Sequence, residues 1–319
     1  MDSAVKKTVV VVNPRSAGGA LERRWPEMAR VLRRELGGIE AVLTTGPRDA
    51  TRLAREAIAG GAELIVAVGG DGTIHEVVNG FFDDDGKPAG SGAALGILPF
   101  GTGGDFRRTA GIPREIEAAA AVLRAHKTRV IDVGRLEYRK HDGGGTGRSM
   151  FINSASGGMA GLVDQVANSS SKIAGGQISF LIASARAWLK YRRLPVRLVF
   201  DGKEDDAVEV KMVNVAVTNG RYFGGGMFVA PNAELDDGLF DVITIGDLSP
   251  LEVAMHFPKL YKGTHLAVPN ISVRRAARVE ISPLGGEVLL DVDGEQLGVL
   301  PATFTVVPRA LTLVVPEHG

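Results

Sequence analysis

The chain has 319 residues, 45% apolar and 23% charged, proportions that support a buried core and exclude a disordered polypeptide. Lys plus Arg equal Asp plus Glu at 37 each, so no global basic field draws nucleic acid, and the lack of cysteine excludes disulfides, thiolate metal sites and a cysteine nucleophile. This length suits two domains.

The first third alternates strand-like and helix-like runs: Thr8 to Val12, Leu21 to Leu36, Ile39 to Leu43, Ala50 to Ala59, Leu64 to Val68 and Ile74 to Phe82. Its strands are continuously apolar, as a parallel sheet covered on both faces requires. Gly60 and Gly61 mark a helix stop, and Pro113 precedes a helix expected over Arg114 to Ala125. The short apolar run ending at Val12 meets Asn13 and Pro14 too early for a signal-peptide core, so export is not expected.

After about Arg129 the segments lengthen and alternate in polarity (VIDVGRLEY, MFINSAS, VRLVF, VKMVNVAVTN, LFDVITI, VEISP), which reads as an antiparallel, β-rich second domain. HDGGGTG at 141–147 is expected to be a hairpin connection. Two helices are expected within this domain, Gln177 to Lys190 and Leu251 to Tyr261, the second opened by a Ser249/Glu252 capping box. The apolar stretch of the first, Ile178 to Leu189, is interrupted by Arg186 and falls short of the ~20 residues that span a bilayer. No transmembrane segment is expected. The basic run Lys190, Arg192 and Arg193, beside Trp188 and Tyr191, reads either as a membrane-surface contact or as a solvated helix end.

Three loops carry the chemical signal. In VAVGGDGTIHEVVNG, from Val66 to Gly80, a buried strand runs into Gly69, Gly70, Asp71, Gly72 and Thr73 and then a helix. Glycines there allow close ligand approach, and the amides at the helix start attract phosphate oxygens. The same run is also compatible with a plain strand-to-helix turn capped by Asp71 or Thr73. In LGILPFGTGGDFRRTAG, from Leu95 to Gly111, another apolar strand feeds Gly101, Thr102, Gly103 and Gly104. Asn13-Pro14-Arg15-Ser16-Ala17-Gly18-Gly19 follows the first strand. Loops at the carboxyl ends of neighbouring parallel strands line one crevice. None is a Walker A loop or a GxGxxG fingerprint.

Together these loops resemble the diacylglycerol kinase catalytic domain, with its Asn-Pro/Ser/paired-Gly motif, its GGDGT motif and its P-x-GTxND-F motif in this order. FINSASGGMAGLVDQVAN, NGRYFGGGMFVAPNAELDDGLFDV and the final DVDGE extend the resemblance over nearly the whole chain. It implies an α/β nucleotide domain with a parallel sheet (1–129, with 309–319 returning to it). A C-terminal antiparallel β-sandwich for the lipid substrate follows (130–308), with ATP and lipid held between the two.

The resemblance places Asp71, Gly70, Gly72 and Thr73 on ATP phosphates and magnesium, Gly101 and Thr102 on the opposite wall, and Asn13, Ser16 and Thr45 on nucleotide. Asp293 becomes the candidate general base and Glu295 a magnesium or nucleotide ligand, roles whose division with Asp71 stays open. DVDGE also reads as an Asp-Gly hairpin turn. The implied structural Mg2+ site is the Asp237 side chain with the carbonyls of Glu234 and Leu239, on a segment that also reads as an Asp-Asp-Gly turn. Phe223, Met227 and Phe228 become candidate lipid-pocket residues, or ordinary strand packing. One departure is Gly104, where the family motif has Asn.

The implied activity is an ATP-dependent lipid kinase, cytoplasmic and peripheral to the inner membrane face. An NAD kinase-like enzyme and a non-catalytic nucleotide-binding protein are the alternatives, and a homodimer is compatible with the sequence.

Overall fold

The computed structural model describes residues 7–90, 92–159 and 193–317; the expected helix Gln177 to Lys190 lies outside them. The chain forms two compact units, Met1–Val133 with Pro308–Gly319, and Gly134–Val307.

In the first unit, strands β1 (Thr8–Val12), β2 (Ile39–Leu43), β3 (Leu64–Gly69) and β4 (Ala94–Pro99) alternate with helices α1 (Ala20–Leu36), α2 (Asp49–Ala59) and α3 (Asp71–Gly80). Helices α4 (Asp105–Thr109) and α5 (Ile116–Ala125) follow β4. The strands pair in parallel in the order β2-β1-β3-β4, with Thr8 opposite both Ile39 and Leu64, and Leu64 opposite Ala94. Thr312 and Leu313, near the end of the last strand, add to β4 in parallel. Every residue of β1, β3 and β4 is buried. That matches their unbroken apolar runs, since α1 packs with α5, α2 packs with α3, and β1, β3 and β4 each touch one of these helices.

The second unit holds two antiparallel layers. One runs β12 (Ile271–Ala276), β11 (Phe240–Ile245), β10 (Asn214–Thr218), β7 (Ser154–Gly158), β14 (Leu289–Val292) and the start of β15 (Glu295–Val314). The other joins a later part of β15 to β13 (Arg278–Pro283), β8 (Leu194–Phe200) and β9 (Val208–Met212). Strand β5 (Thr128–Arg139) pairs with β6 (Thr146–Phe151) across 140–145, so the expected hairpin connection is present, with Thr146 and Gly147 already in the strand. Phe151 stacks on Phe240 at 5.4 Å and meets Phe304 edge-on at 6.4 Å, at the centre of the core. Helix α6 (Pro250–Lys262) opens with the expected capping box: Ser249 Oγ accepts the Glu252 N–H, and Glu252 accepts the Ser249 N–H at 2.8 Å.

Several helix ends shift by one to three residues from expectation, α5 starting at Ile116 rather than Arg114, and one shift bears on the site. Helix α3 begins at Asp71 rather than Ile74, so Asp71, Gly72 and Thr73 form its first turn, and the residue before it, Gly70, is extended and gives no side-chain cap. Asp71 is favourable there as an acid in the first turn, and its carboxylate is bound elsewhere.

Candidate functional site

All three glycine-bearing loops emerge from the carboxyl ends of the adjacent strands β1, β3 and β4. Asn13 Nδ2 donates to Thr73 Oγ1 at 3.0 Å, and Ser16 Oγ lies 3.5 Å from the same hydroxyl. Gly69 lies beneath them, where a Cβ would stand 2.4 Å from Thr73 Oγ1 and 2.9 Å from Ser16 Oγ, so no side chain fits. A Cβ on Gly101 would stand 2.7 Å from the Gly70 Cα, so the second and third loops touch backbone to backbone.

Asp71 fastens that contact. Its carboxylate accepts the N–H of Gly104 at 2.7 Å and of Asp105 at 3.2 Å, so the acid of the GGDGT motif shapes the loop after β4. The loops after β3 and β4 line an open pocket, together with the guanidinium-bearing residues Arg107, Arg108 and Arg114. Arg108 is neutralised by Asp105 at 2.9 Å and also donates to the Gly103 carbonyl at 2.7 Å. Among the described residues Arg107 makes no close ion pair, although the charges of Glu115 and Asp71 act on it, and it donates to the Ile112 carbonyl at 3.1 Å. Burial, and then the positive charges of Arg108 and Arg114, pull its pKa below the ordinary value. Arg107, Arg108 and Arg114 face Asp71 in the lining, with Asp105 and Glu115 close to two of them, so the pocket offers an anion guanidiniums and backbone amides rather than a large excess of charge.

Thr45 lies outside this group: its N–H and hydroxyl both donate to Asp49 Oδ2, at 2.8 and 2.9 Å. Arg107 and Arg114 belong to no motif, and their sequence signal is a basic cluster after the third loop.

In the second unit, Asp293 and Gly294, both at positive φ, make the turn between β14 and β15 that the Asp-Gly pair favours. The buried Asp293 carboxylate accepts the N–H groups of Ile152 (3.0 Å), Asn153 (3.1 Å) and Ser154 (2.9 Å). The Asn153 carbonyl accepts the N–H groups of Asn219 and Gly220 at 2.8 Å each, and Asn153 Nδ2 donates to the Tyr222 carbonyl at 2.9 Å. Three stretches distant in sequence, FINSAS, NGRYF and DVDGE, thereby meet at one point. Glu295 follows the turn and is exposed.

At the Asp-Asp-Gly turn, Asp237 Oδ1 accepts the Leu239 N–H at 3.0 Å, and its other oxygen is held by Arg275. The side chain of Asp241 is buried nearby, its Oδ2 without a hydrogen-bond partner and 3.8 Å from Arg275 Nε. Burial first, and the charge of Glu234 second, push its pKa up. Among the described residues no three acidic or histidine side chains converge as a metal cluster. A cation at Asp237 therefore needs backbone carbonyls, such as those of Glu234 and Leu239, to complete its shell. The all-oxygen donor set and the orphaned Asp241 oxygen fit a hard divalent ion.

Residues 7–136 match the diacylglycerol kinase catalytic domain, and residues 153–315 match the YegS C-terminal NAD kinase beta sandwich-like domain. A protein of Mycobacterium tuberculosis (strain ATCC 25618 / H37Rv) named diacylglycerol kinase is 31% identical over 319 residues, covering 99% of this chain and 97% of its own. The chain belongs to the diacylglycerol kinase family. It is therefore a kinase-family protein with that family's two-domain plan. A crystal structure from Bacillus anthracis (strain Sterne) superimposes with a TM-score of 0.75 at 26% identity over 98% of each chain. Yeast NADH kinase complexed with NADH superimposes at 0.53 with 13% identity, over 99% of this chain and 85% of its own, which shows a shared fold. In diacylglycerol kinase terms, the anion pocket lies within the catalytic-domain match and the Asp293 turn within the sandwich match.

Proposed function

We propose that this protein is an ATP-dependent lipid kinase that transfers the γ-phosphoryl group to the hydroxyl of diacylglycerol or a related lipid, working in the cytoplasm at the inner membrane face. The observation that carries the reading is the anion pocket in which Asp71 fixes the loop after β4 while the Arg107 guanidinium makes no close ion pair among the described residues. Phosphoryl transfer asks mainly for positioning and charge neutralisation, and amides with guanidiniums supply both. Gly70, Gly72, Gly101 and Thr102 give ATP phosphates close access to backbone. Asn13, Ser16 and Thr73 form the adjoining hydroxyl and amide wall, and Thr45 belongs to the outer nucleotide contacts.

Magnesium, when bound with nucleotide, neutralises charge on the phosphates. Asp71 and Glu295 are the carboxylates proposed to hold it. The acceptor oxygen forms the new P–O bond as the bond to ADP breaks, and the hydroxyl proton passes to Asp293. A second, structural Mg2+ is proposed at Asp237 with the carbonyls of Glu234 and Leu239. Phe223, Met227 and Phe228 are proposed to line the lipid's path.

The test is transfer of labelled γ-phosphate from Mg-ATP to diacylglycerol, ceramide and a sphingoid base in mixed micelles, with NAD in parallel. Label in a lipid is expected. Label in NAD with none in any lipid would overturn the reading.

A further inference from the structure

Helix α6 has two apolar faces, and among the described residues one of them packs on a hydrophobic cluster. Val253, Phe257 and Leu260 face inward, the last two packing on the cluster of Met227, Val229, Ala230, Ala233 and Ile243. On the opposite side Leu251 is 76% exposed, Met255 60% and Tyr261 46%, with Ala254 and Pro258 exposed between them. Positions 251, 254, 255, 258 and 261 fall on one stripe of a 3.6-residue helix, so the water-facing side is apolar as well as the inward one. A soluble surface helix has a polar outer side.

We propose that this stripe docks α6 flat on a lipid bilayer that carries anionic headgroups. Two observations favour a bilayer over a second copy of the chain. The first is area: 13 residues make a helix about 20 Å long, and a stripe about 10 Å wide offers roughly 200 Å2, well below the ~800 Å2 per partner of a stable protein interface. The second is charge. The acid of α6, Glu252, is spent on the capping box, while Lys259 and Lys262 end the helix and Lys262 is exposed. An apolar face bordered by lysines matches an interfacial helix lying at the headgroup level, with lysine heads reaching anionic phosphates and tyrosine at the boundary.

The docking has a use that rests on the lipid-kinase reading. Phe228 donates its N–H to the Leu260 carbonyl at 2.8 Å, and a Cβ on Gly263 would meet Phe228 Cδ1 at 2.6 Å. The Phe223 to Phe228 loop is therefore fastened to the last turn of α6, and a docked helix holds that loop at the surface from which a lipid acceptor is drawn.

The experiment is co-flotation of the full chain with phosphatidylcholine vesicles, with and without phosphatidylglycerol, for wild type, Leu251→Asp/Met255→Asp and Lys262→Glu. Wild type is expected to float with anionic vesicles. The double variant should bind at least about tenfold more weakly with an unchanged Tm, and Lys262→Glu should weaken binding mainly at low salt. Failure of wild type to bind anionic vesicles, or equal binding by the double variant, overturns the proposal. So does a wild-type dimer that the double variant splits in the absence of vesicle binding.

Activity on a water-soluble short-chain diacylglycerol separates the two readings. The double variant should keep it while losing activity on vesicles. Vesicle binding without phosphorylation of any lipid would remove the kinase reading and leave the docking. Full vesicle activity in the double variant would do the opposite.

Discussion

Arg107 stands over Gly104. A Cβ at residue 104 would lie 3.0 Å from Arg107 Nε and 3.4 Å from its Cδ, so the guanidinium stem occupies the space that a side chain at 104 would claim. Gly104 sits at φ 65°, a conformation asparagine also tolerates, so the residue usual in the family motif fits the backbone and requires Arg107 to move aside. In this chain a cation replaces that amide beside the pocket. Arg107→Ala should raise the KM for ATP about tenfold or more, the loss of one charge-assisted phosphate contact of roughly 1.5–3 kcal/mol. Gly104→Asn should do much the same by displacing Arg107, and the double variant should be no worse than the singles. Steady-state kinetics over the four proteins tests this as a cycle, and additive losses would refute the shared role.

Asp293 is expected to carry stability as well as chemistry. Replacing it with Ala strands the three N–H groups of Ile152, Asn153 and Ser154. The cost should be about 3–4 kcal/mol, read by urea unfolding. Glu295→Gln, on the exposed strand start, should leave unfolding nearly unchanged and lower kcat instead.

The acidic turn gives a pH signature. Asp241 has a folded pKa above its ordinary 3.8, so the folded state binds its proton more tightly than the unfolded chain does, and its contribution to stability falls as pH rises from 3.8 through the folded pKa. Asp241→Asn should therefore raise Tm at pH 7 in EDTA, with the gain shrinking towards pH 3.8. If Mg2+ binds at Asp237, millimolar MgCl2 should raise the wild-type Tm and leave Asp237→Asn unmoved.

His265 works with the opposite sign. It is fully buried, with Nε2 2.9 Å from the Val229 carbonyl, and burial pushes its pKa below the ordinary 6.5. Stability from this residue is full above 6.5 and declines as pH falls through the folded value, because the unfolded chain takes up the proton first. His265→Gln should flatten the Tm-against-pH curve below pH 6.5.

How much of this was legible depended on whether a local pattern or a distant partner sets the structure. The unbroken valines of β1 and the LIVAV of β3 admit few roles other than buried parallel strand, and the Ser249/Glu252 spacing specifies its own helix start. The start of α3 was misplaced because Gly72 reads as loop, whereas the decisive bonds run from Asp71 to Gly104 and Asp105, more than thirty residues away. The roles of Arg107 and Arg114 were illegible for the same reason: an arginine beside a glycine loop looks like any surface cation until the space over Gly104 is known. Asp241 carries no signal of its own within the strand FDVITI, and its meaning comes only from Glu234 and Arg275 beside it. The motifs FINSAS, NGRYF and DVDGE were each legible, and their meeting at the Asn153 backbone was not.

The most direct measurement is phosphatidate formation from labelled Mg-ATP and diacylglycerol micelles by wild type and Asp71→Asn, run side by side with circular dichroism on both. The expected result is labelled phosphatidate from wild type and a loss of at least about a hundredfold in the variant, with its fold retained. No labelled lipid from wild type, or equal rates from the two proteins, would contradict a lipid kinase built on the Asp71 loop.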